Sequence, residues 1–466
     1  MAFEISEILE AHAGGNYDLH AEHINPRWAR ALGVIGFDKC YTSASGPYLW
    51  DRNGVKYLDM LAGYSVFNIG RNHPTVRKAL TDLMALDYPS LVQIEAPLLS
   101  GVLARELKRR VGYGLDRVYF TNTGAEGVES AIKFARRATG RTDIVYASSA
   151  FHGLTNGALS LNGGEIFRHD FGPLLPDCKK VPFNDATALE QALSGKNVAA
   201  FMIEPIQGKG ANIADDSYLA EASRLCRQYG TLLIADEVQS GMGRTGRFLA
   251  MQHADDAEPD IVILSKSLSG GYVPVGAVLM RSWIYDKVFS SLDQAVVHSS
   301  TFGQGSLAMA AGLATLEVMD DEDLLNAAVA RGDMLGRELT AMKSEFEFIH
   351  DVRWRGLMMG IEFGKPKSLK LKTAWTTTNG LNKDLFCQAI TIPLLSDHNI
   401  LSQVAGNQMT TIKLTPALTI SDQDVAWFLE GFRDVMKRLH KFPGPAWEAI
   451  YRIAKNAIPS GRSAAE

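Results

Sequence analysis

Short, unbroken apolar runs, each closed by polar residues, dominate the hydrophobic pattern of this chain. Leu232-Leu233-Ile234-Ala235 and Ile261-Val262-Ile263-Leu264 are the clearest. Each is too short for a buried helix and rich enough in branched residues for a strand covered on both faces. Ala199 to Ile203 and Ile144 to Tyr146 repeat the pattern, and Val118-Tyr119-Phe120 leads into helical spacing through Ile132, Phe134 and Ala135. Such runs, with helical stretches between them, predict an α/β fold with open-sheet character.

Other periodicities fill in the ends. Ile5, Ile8, Leu9 and Ala13 predict a short amphipathic helix ended by Gly14-Gly15, docked on a lobe or on a partner subunit. Tyr48 to Trp50 and Val55 to Asp59, joined through Asn53-Gly54, predict a hairpin, because Asn-Gly accepts the positive φ of a tight turn. Helices are expected over 75–84, 307–319 and 324–342, and strand signals return around 348–353 and 357–363. Lys365 to Asn379, with its lysines and threonines, predicts an exposed excursion. Trp447, Ile450, Tyr451, Ala454 and Ile458 mark one face of a final helix docked on the body.

Composition narrows the classes. The 466 residues, 46% hydrophobic, suffice for a large core in two or three lobes. With 47 basic against 52 acidic residues the net charge is −5, and no basic stripe suggests nucleic acid. Cys40, Cys178, Cys226 and Cys387 have no CxxC spacing, which fits a reducing, cytoplasmic setting without a zinc site. The start MAFEISEILE lacks the features of a signal or transit peptide, and no apolar run has the length of an integral membrane segment.

The chemistry sits at the ends of the two central runs. Asp236 follows the first directly and Lys266 follows the second after Ser265. Ligands of open α/β sheets bind outside the carboxyl ends of strands, so this acid and this lysine would face one ligand. A lysine among apolar walls can form a Schiff base, and a carboxylate can keep a pyridine nitrogen protonated, the pair that pyridoxal 5'-phosphate (PLP) requires. An ordinary ion pair is the competing account. Gly241-Met242-Gly243-Arg244-Thr245-Gly246 and Gly270-Gly271-Tyr272 place flexible backbone after each strand, where a ligand could be approached closely. The first of these also fits G-x-G-x-x-G, but Asp236 and Glu237 before it would repel a pyrophosphate.

IADEVQSGMGRTGRF followed by PDIVILSKSLSGGYVPVGAV resembles the signature of the class III, ornithine aminotransferase-like family of fold-type I PLP enzymes, and the likeness runs from about Tyr48 to Val435. The resemblance implies a large PLP-binding domain over 75–320 with a mainly parallel central sheet flanked by helices. A smaller α+β domain would then come from 1–74 and 321–466. It implies that Lys266 carries the cofactor, that Asp236 holds the ring nitrogen, and that Thr123, Gly124 and Ala125 form a phosphate cup at a helix start. Phe151 takes the place of the aromatic residue that stacks on the ring, Val238 faces the opposite side, and Gln239 lies toward the ring hydroxyl. His152 stands beside the ring-stacking residue without metal-ligand spacing, and Glu204 is expected on the substrate side, although a strand-end glutamate is ordinarily solvated. Tyr64 corresponds to a substrate-contacting tyrosine, with an interface aromatic as the alternative. Thr301 corresponds to a threonine that reaches the phosphate of the neighbouring subunit, implying a homodimer, although Gln304-Gly305-Ser306 departs from the usual Gly-Asn-Pro. Lys413 stands where amino-acid-specific members carry arginine, and lysine lacks arginine's planar fork for a carboxylate.

These residues imply a ping-pong aminotransferase passing an amino group from an amine donor to a carbonyl acceptor. The departure at Lys413, with Tyr64, points to an ω-amine or aldehyde substrate, as in branches that aminate lipid aldehydes such as hopanoids. Mutases, racemases, decarboxylases and phospho-lyases share the fold and the lysine and remain alternatives. A scaffold role would predict loss of Lys266 or Asp236, and both are present.

Overall fold

The computed structural model describes residues 3–381, 383–406, 409–444 and 447. Near the N-terminus β1 (Tyr41–Ser45), β2 (Tyr48–Asp51) and β3 (Lys56–Asp59) form an antiparallel meander. The expected hairpin is β2 and β3, and Asp51 ties its turn by accepting from the Asn53 and Val55 N–H groups.

The central sheet has seven strands: β4 (Arg117–Thr121), β5 (Asp143–Ala147), β6 (Cys178–Val181), β7 (Val198–Ile203), β8 (Leu232–Asp236), β9 (Ile261–Leu264) and β10 (Gly276–Met280), in the order β4-β10-β9-β8-β7-β5-β6. Only β10 runs antiparallel to its neighbours; the other pairings are parallel. Every residue of β5, β7, β8, β9 and β10 is buried, as unbroken apolar runs require when helices cover both faces. The helix Gly124–Thr139 lays Val128, Ala131, Ile132 and Ala135 into one of the two cores beside this sheet.

The C-terminal part adds β11 (Ile349–Arg355), β12 (Met358–Phe363), β13 (Ile400–Leu401), β14 (Gln403–Val404) and β15 (Thr411–Leu414). β13 pairs in parallel with β3, so the two ends of the chain share one sheet, while the others form a sheet in the order β11-β12-β15-β14.

One expectation is corrected. Leu369–Leu381 is a helix rather than an exposed excursion. Leu371, Ala374 and Thr378 are buried, and Trp375 stacks on Phe348 with ring centroids 6.0 Å apart. These positions form an i, i+3, i+4, i+7 stripe that the intervening lysines and threonines conceal. The N-terminal helix spans Ile5–Ala11, and Ile5, Ile8 and Leu9 are exposed, so its apolar side is not covered by the described residues of this chain, and docking on a partner subunit is the alternative left. Of the final helix only Trp447 falls among the described residues, buried with its indole N–H on Leu439 O; Ile450, Tyr451, Ala454 and Ile458 lie outside them. Among the described residues no helix is long and apolar enough to cross a membrane.

Candidate active site

The carboxyl ends of β8 and β9 open into a cavity of about 570 Å³. Its wall includes Lys266, Asp236, Glu204, Phe151, Val238 and the start of the helix Gly124–Thr139. Register explains the convergence: Asp236 lies opposite Ile263, three residues before Lys266, and Ala235 lies opposite Ile203, the residue before Glu204. Three ionisable groups therefore come to one sheet edge from three adjacent parallel strands.

Lys266 sits at the turn from strand to a short 3₁₀ segment, with a positive φ of 41°. Left-handed backbone at a non-glycine residue costs roughly 1 kcal/mol and fixes where the side chain departs. Burial holds its amine below the ordinary lysine range; the Asp236 and Glu204 carboxylates oppose this and Lys209 adds to it. The Nζ has no hydrogen-bond partner among the described residues.

Asp236 is held at both oxygens. Oδ1 accepts the Val238 N–H at 3.1 Å, and Oδ2 lies 2.6 Å from His152 Nδ1. Burial pulls the His152 imidazole down, but the contact with Asp236 and the fields of Asp236 and Glu204 outweigh it and raise its pKa. Its Nε2 is buried without a partner. Glu204 is buried rather than solvated, accepting from Phe151 N at 2.9 Å and Gly208 N at 2.8 Å. Burial raises its pKa, Asp236 adds to the rise, and His152 and the two N–H groups work against it.

At the helix start, Thr123 Oγ1 accepts the Glu126 N–H at 3.1 Å. Its own hydroxyl proton stays free, and the N–H groups of Gly124 and Ala125 have no acceptor among the described residues. Unpaired N–H groups and the helix dipole suit an anion. Gly124 is required by contact: a Cβ there would come 2.8 Å from Val238 Cγ1.

Of the remaining expected site residues, Gln239 lines the cavity, whereas Tyr64, Lys413 and Thr301 are not on its wall. Ala62, Gly63, Tyr64 and Ser65 all have positive φ, from 44° to 66°, a left-handed turn that nothing in their sequence announces. Gln239 Nε2 donates to Tyr64 O at 3.0 Å, and the Tyr64 hydroxyl meets Gln403 Oε1. Lys413 donates to Gly208 O at 2.6 Å and to Gln239 Oε1 at 3.0 Å. Burial, with Lys266 and Lys209 nearby, lowers its pKa to about 7. Thr301 is exposed.

The loop Gly241–Gly246 does not approach the cavity and is corrected as a ligand loop. It is a packing joint: a Cβ at Gly246 would meet Val329 Cγ2 at 2.3 Å, and one at Gly356 would meet the Thr245 backbone at 2.6 Å. Arg244 there is fully buried, donating to Leu357 O, Pro416 O and Asn68 Oδ1. The second glycine pair keeps its role, since Gly271 lines the cavity with Tyr272 to Val275. Ser265, Ser269 and Asn122 also line it and were not anticipated; their nearness to Lys266 and to Thr123 was the available signal.

The donor set fits PLP: a partnerless buried amine, a carboxylate fixed at both oxygens, and a helix start with free N–H groups on one cavity. The aminotransferase class-III family model matches residues 33–436. The chain belongs to the class-III aminotransferase family. A Serratia protein named aminotransferase PigE is 35% identical over 91% of this chain, which spans 54% of that relative's length. Acetylornithine aminotransferase of Methanopyrus kandleri is 40% identical over 70% of this chain and 81% of its own. Among solved structures, an ornithine aminotransferase of Toxoplasma gondii superposes with a TM-score of 0.77 at 31% identity, covering 86% of this chain and 91% of that one. Class-III aminotransferases are fold-type I PLP enzymes, and the central sheet described above is of that architecture.

Proposed function

We propose that this chain is a PLP-dependent aminotransferase that moves an amino group from an amine donor, an amino acid or an ω-amine, to a keto acid or aldehyde. The observation that carries the reading is the convergence of Lys266 and Asp236 from adjacent strands on one cavity beside a free helix start. When bound, the cofactor supplies an electron sink for the carbon that loses its proton. The chain's residues do the rest. Lys266 Nζ, kept low in pKa by burial, would hold the cofactor and then take and return the proton at the reacting carbon. Asp236, fixed by His152 and Val238, would hold the ring nitrogen's proton. Phe151 and Val238 would flank the ring, Gln239 would lie toward its hydroxyl, and Thr123, Gly124 and Ala125 would take the phosphate. Lys413, bound to Gly208 and Gln239, acts as a positioning residue beside the substrate, with Tyr64 across from it. The names of the two relatives above support the reaction class.

The same reading has the chain act as a homodimer, with Thr301 completing the phosphate site of the second copy. Ile94, Leu98, Leu292, Val296 and Phe302 are each at least 65% exposed, apolar side chains of the kind a second copy would cover. A cytoplasmic location is supported by four free cysteines.

Single-turnover spectra of the purified protein against a panel of amines and amino acids test the reaction. Conversion of the lysine-bound cofactor band to the amine form, with a carbonyl product, is expected. Persistence of that band while ammonia, carbon dioxide or a rearranged isomer accumulates would instead identify a lyase, decarboxylase or mutase.

A further inference from the structure

Beyond the residues already assigned, one cation beside the cavity-lining Phe151 has no hydrogen-bond or ion-pair partner among the described residues. Lys209 follows Gly208 on the loop after β7, with Gly210 beyond it. Its ammonium lies 5.0 Å from the Phe151 ring centroid and 4.9 Å from that of Phe167, two rings that meet edge to face. It makes no hydrogen bond or ion pair with any described residue. Phe151 is also a wall of the cavity that holds Lys266.

An ammonium carries three donors, and two aromatic faces satisfy none of them. Half-burying such a group without an acceptor is costly, and burial indeed holds its pKa down, with only Glu204 working the other way. Glu204 makes no hydrogen bond or ion pair with it, its carboxylate being held by the Phe151 and Gly208 N–H groups. The other candidate for an anion, Lys413, already gives two of its donors to Gly208 O and Gln239 Oε1. The two lysines therefore divide the work: one is tied into the protein, the other is caged, unpaired and beside the ring-stacking residue.

We propose that Lys209 is a specificity-determining residue that binds an anionic group, a carboxylate in the first instance, carried on the substrate at a distance from the reacting carbon. This rests on the aminotransferase reading of the same cavity and narrows it to donors such as ω-amino carboxylates. The Phe151 and Phe167 rings hold the ammonium itself, so it meets the incoming anion without first being ordered.

The test compares the wild-type holoenzyme with Lys209→Met and Lys209→Glu on two donors that differ only at the far end, δ-aminovalerate and pentylamine. Glutarate, which has no amine to transfer, is titrated into each by calorimetry. In Lys209→Met the ratio of kcat/KM for δ-aminovalerate to that for pentylamine falls about tenfold, through KM, and glutarate binding weakens by a similar factor. In Lys209→Glu the ratio falls further. An unchanged ratio, an equal loss on both donors, or a wild-type protein that does not bind glutarate overturns the assignment. If the wild-type protein transfers no amino group from any donor, the aminotransferase reading fails, and the glutarate titration still decides Lys209.

Discussion

Lys413→Met is the perturbation whose outcome the structure constrains most tightly. Its amine is buried, and its pKa falls from 10.5 to about 7. The linkage sign follows. A base whose pKa is lowered on folding is more protonated in the unfolded chain, so stability rises with pH through the window between the two values and is lost as pH falls toward 7. At 1.36 kcal/mol per pH unit, the full penalty at neutral pH is at most about 5 kcal/mol. The acceptors Gly208 O and Gln239 Oε1 reduce it, each by about 1 kcal/mol. Methionine removes both the penalty and the bonds. Chemical denaturation of wild type and variant at one protein concentration measures the difference, and the comparison cancels every other titrating group. Between about pH 7.5 and 9 the stability gap should move by about 2 kcal/mol in favour of wild type. A gap that stays flat across that range would refute the reasoning, because it would mean that the two acceptors and Glu204 keep the amine charged throughout. A change in kcat without a change in donor preference is expected alongside, since the lysine orients Gln239 and does not touch the donor.

Two further outcomes follow from contacts in the same region. Gly124→Ala drives a Cβ to 2.8 and 2.9 Å from the Val238 methyls, so it should cost about 1–3 kcal/mol in stability and weaken PLP affinity, read by denaturation and by equilibrium dialysis. Glu237 is buried, accepting from Ser240 Oγ and Met251 N, and burial pushes its carboxyl up to about 7. A carboxyl raised on folding stabilises most below its unfolded pKa, so wild type should lose up to about 3 kcal/mol as pH rises from about 4.5 to 7. Glu237→Gln should flatten that slope, and an unaltered slope in the variant would assign it to other groups.

The strands and the reactive pair were legible because burial on both faces leaves no choice of residue. β7, β8 and β9 read as apolar runs for that reason, and Glu204, Asp236 and Lys266 stand out as the ionisable residues near their ends. What pattern did not carry was direction and occupancy. β10 is as apolar as the parallel strands of the sheet, so its antiparallel course has no signature in composition. The glycines of 241–246 and 270–271 look alike in sequence, yet the first set meets Val329, Met319 and Leu325 whereas Gly271 of the second lines the cavity, a difference that depends on what packs behind each loop.

Residue identity likewise could not separate the two lysines near the cavity rim. Lys413 is marked by its departure from arginine, and Lys209, two residues after Gln207, carries no comparable mark in the sequence. The structure reverses the emphasis, because a cation's capacity to bind a ligand depends on what already accepts its protons. Lys413 spends two of its donors on Gly208 and Gln239, and Gln239 in turn holds the Tyr64 turn through Nε2. On the proposed reading, the departure from arginine shapes the substrate side, and the anion falls to Lys209, whose ammonium lies against two phenyl rings.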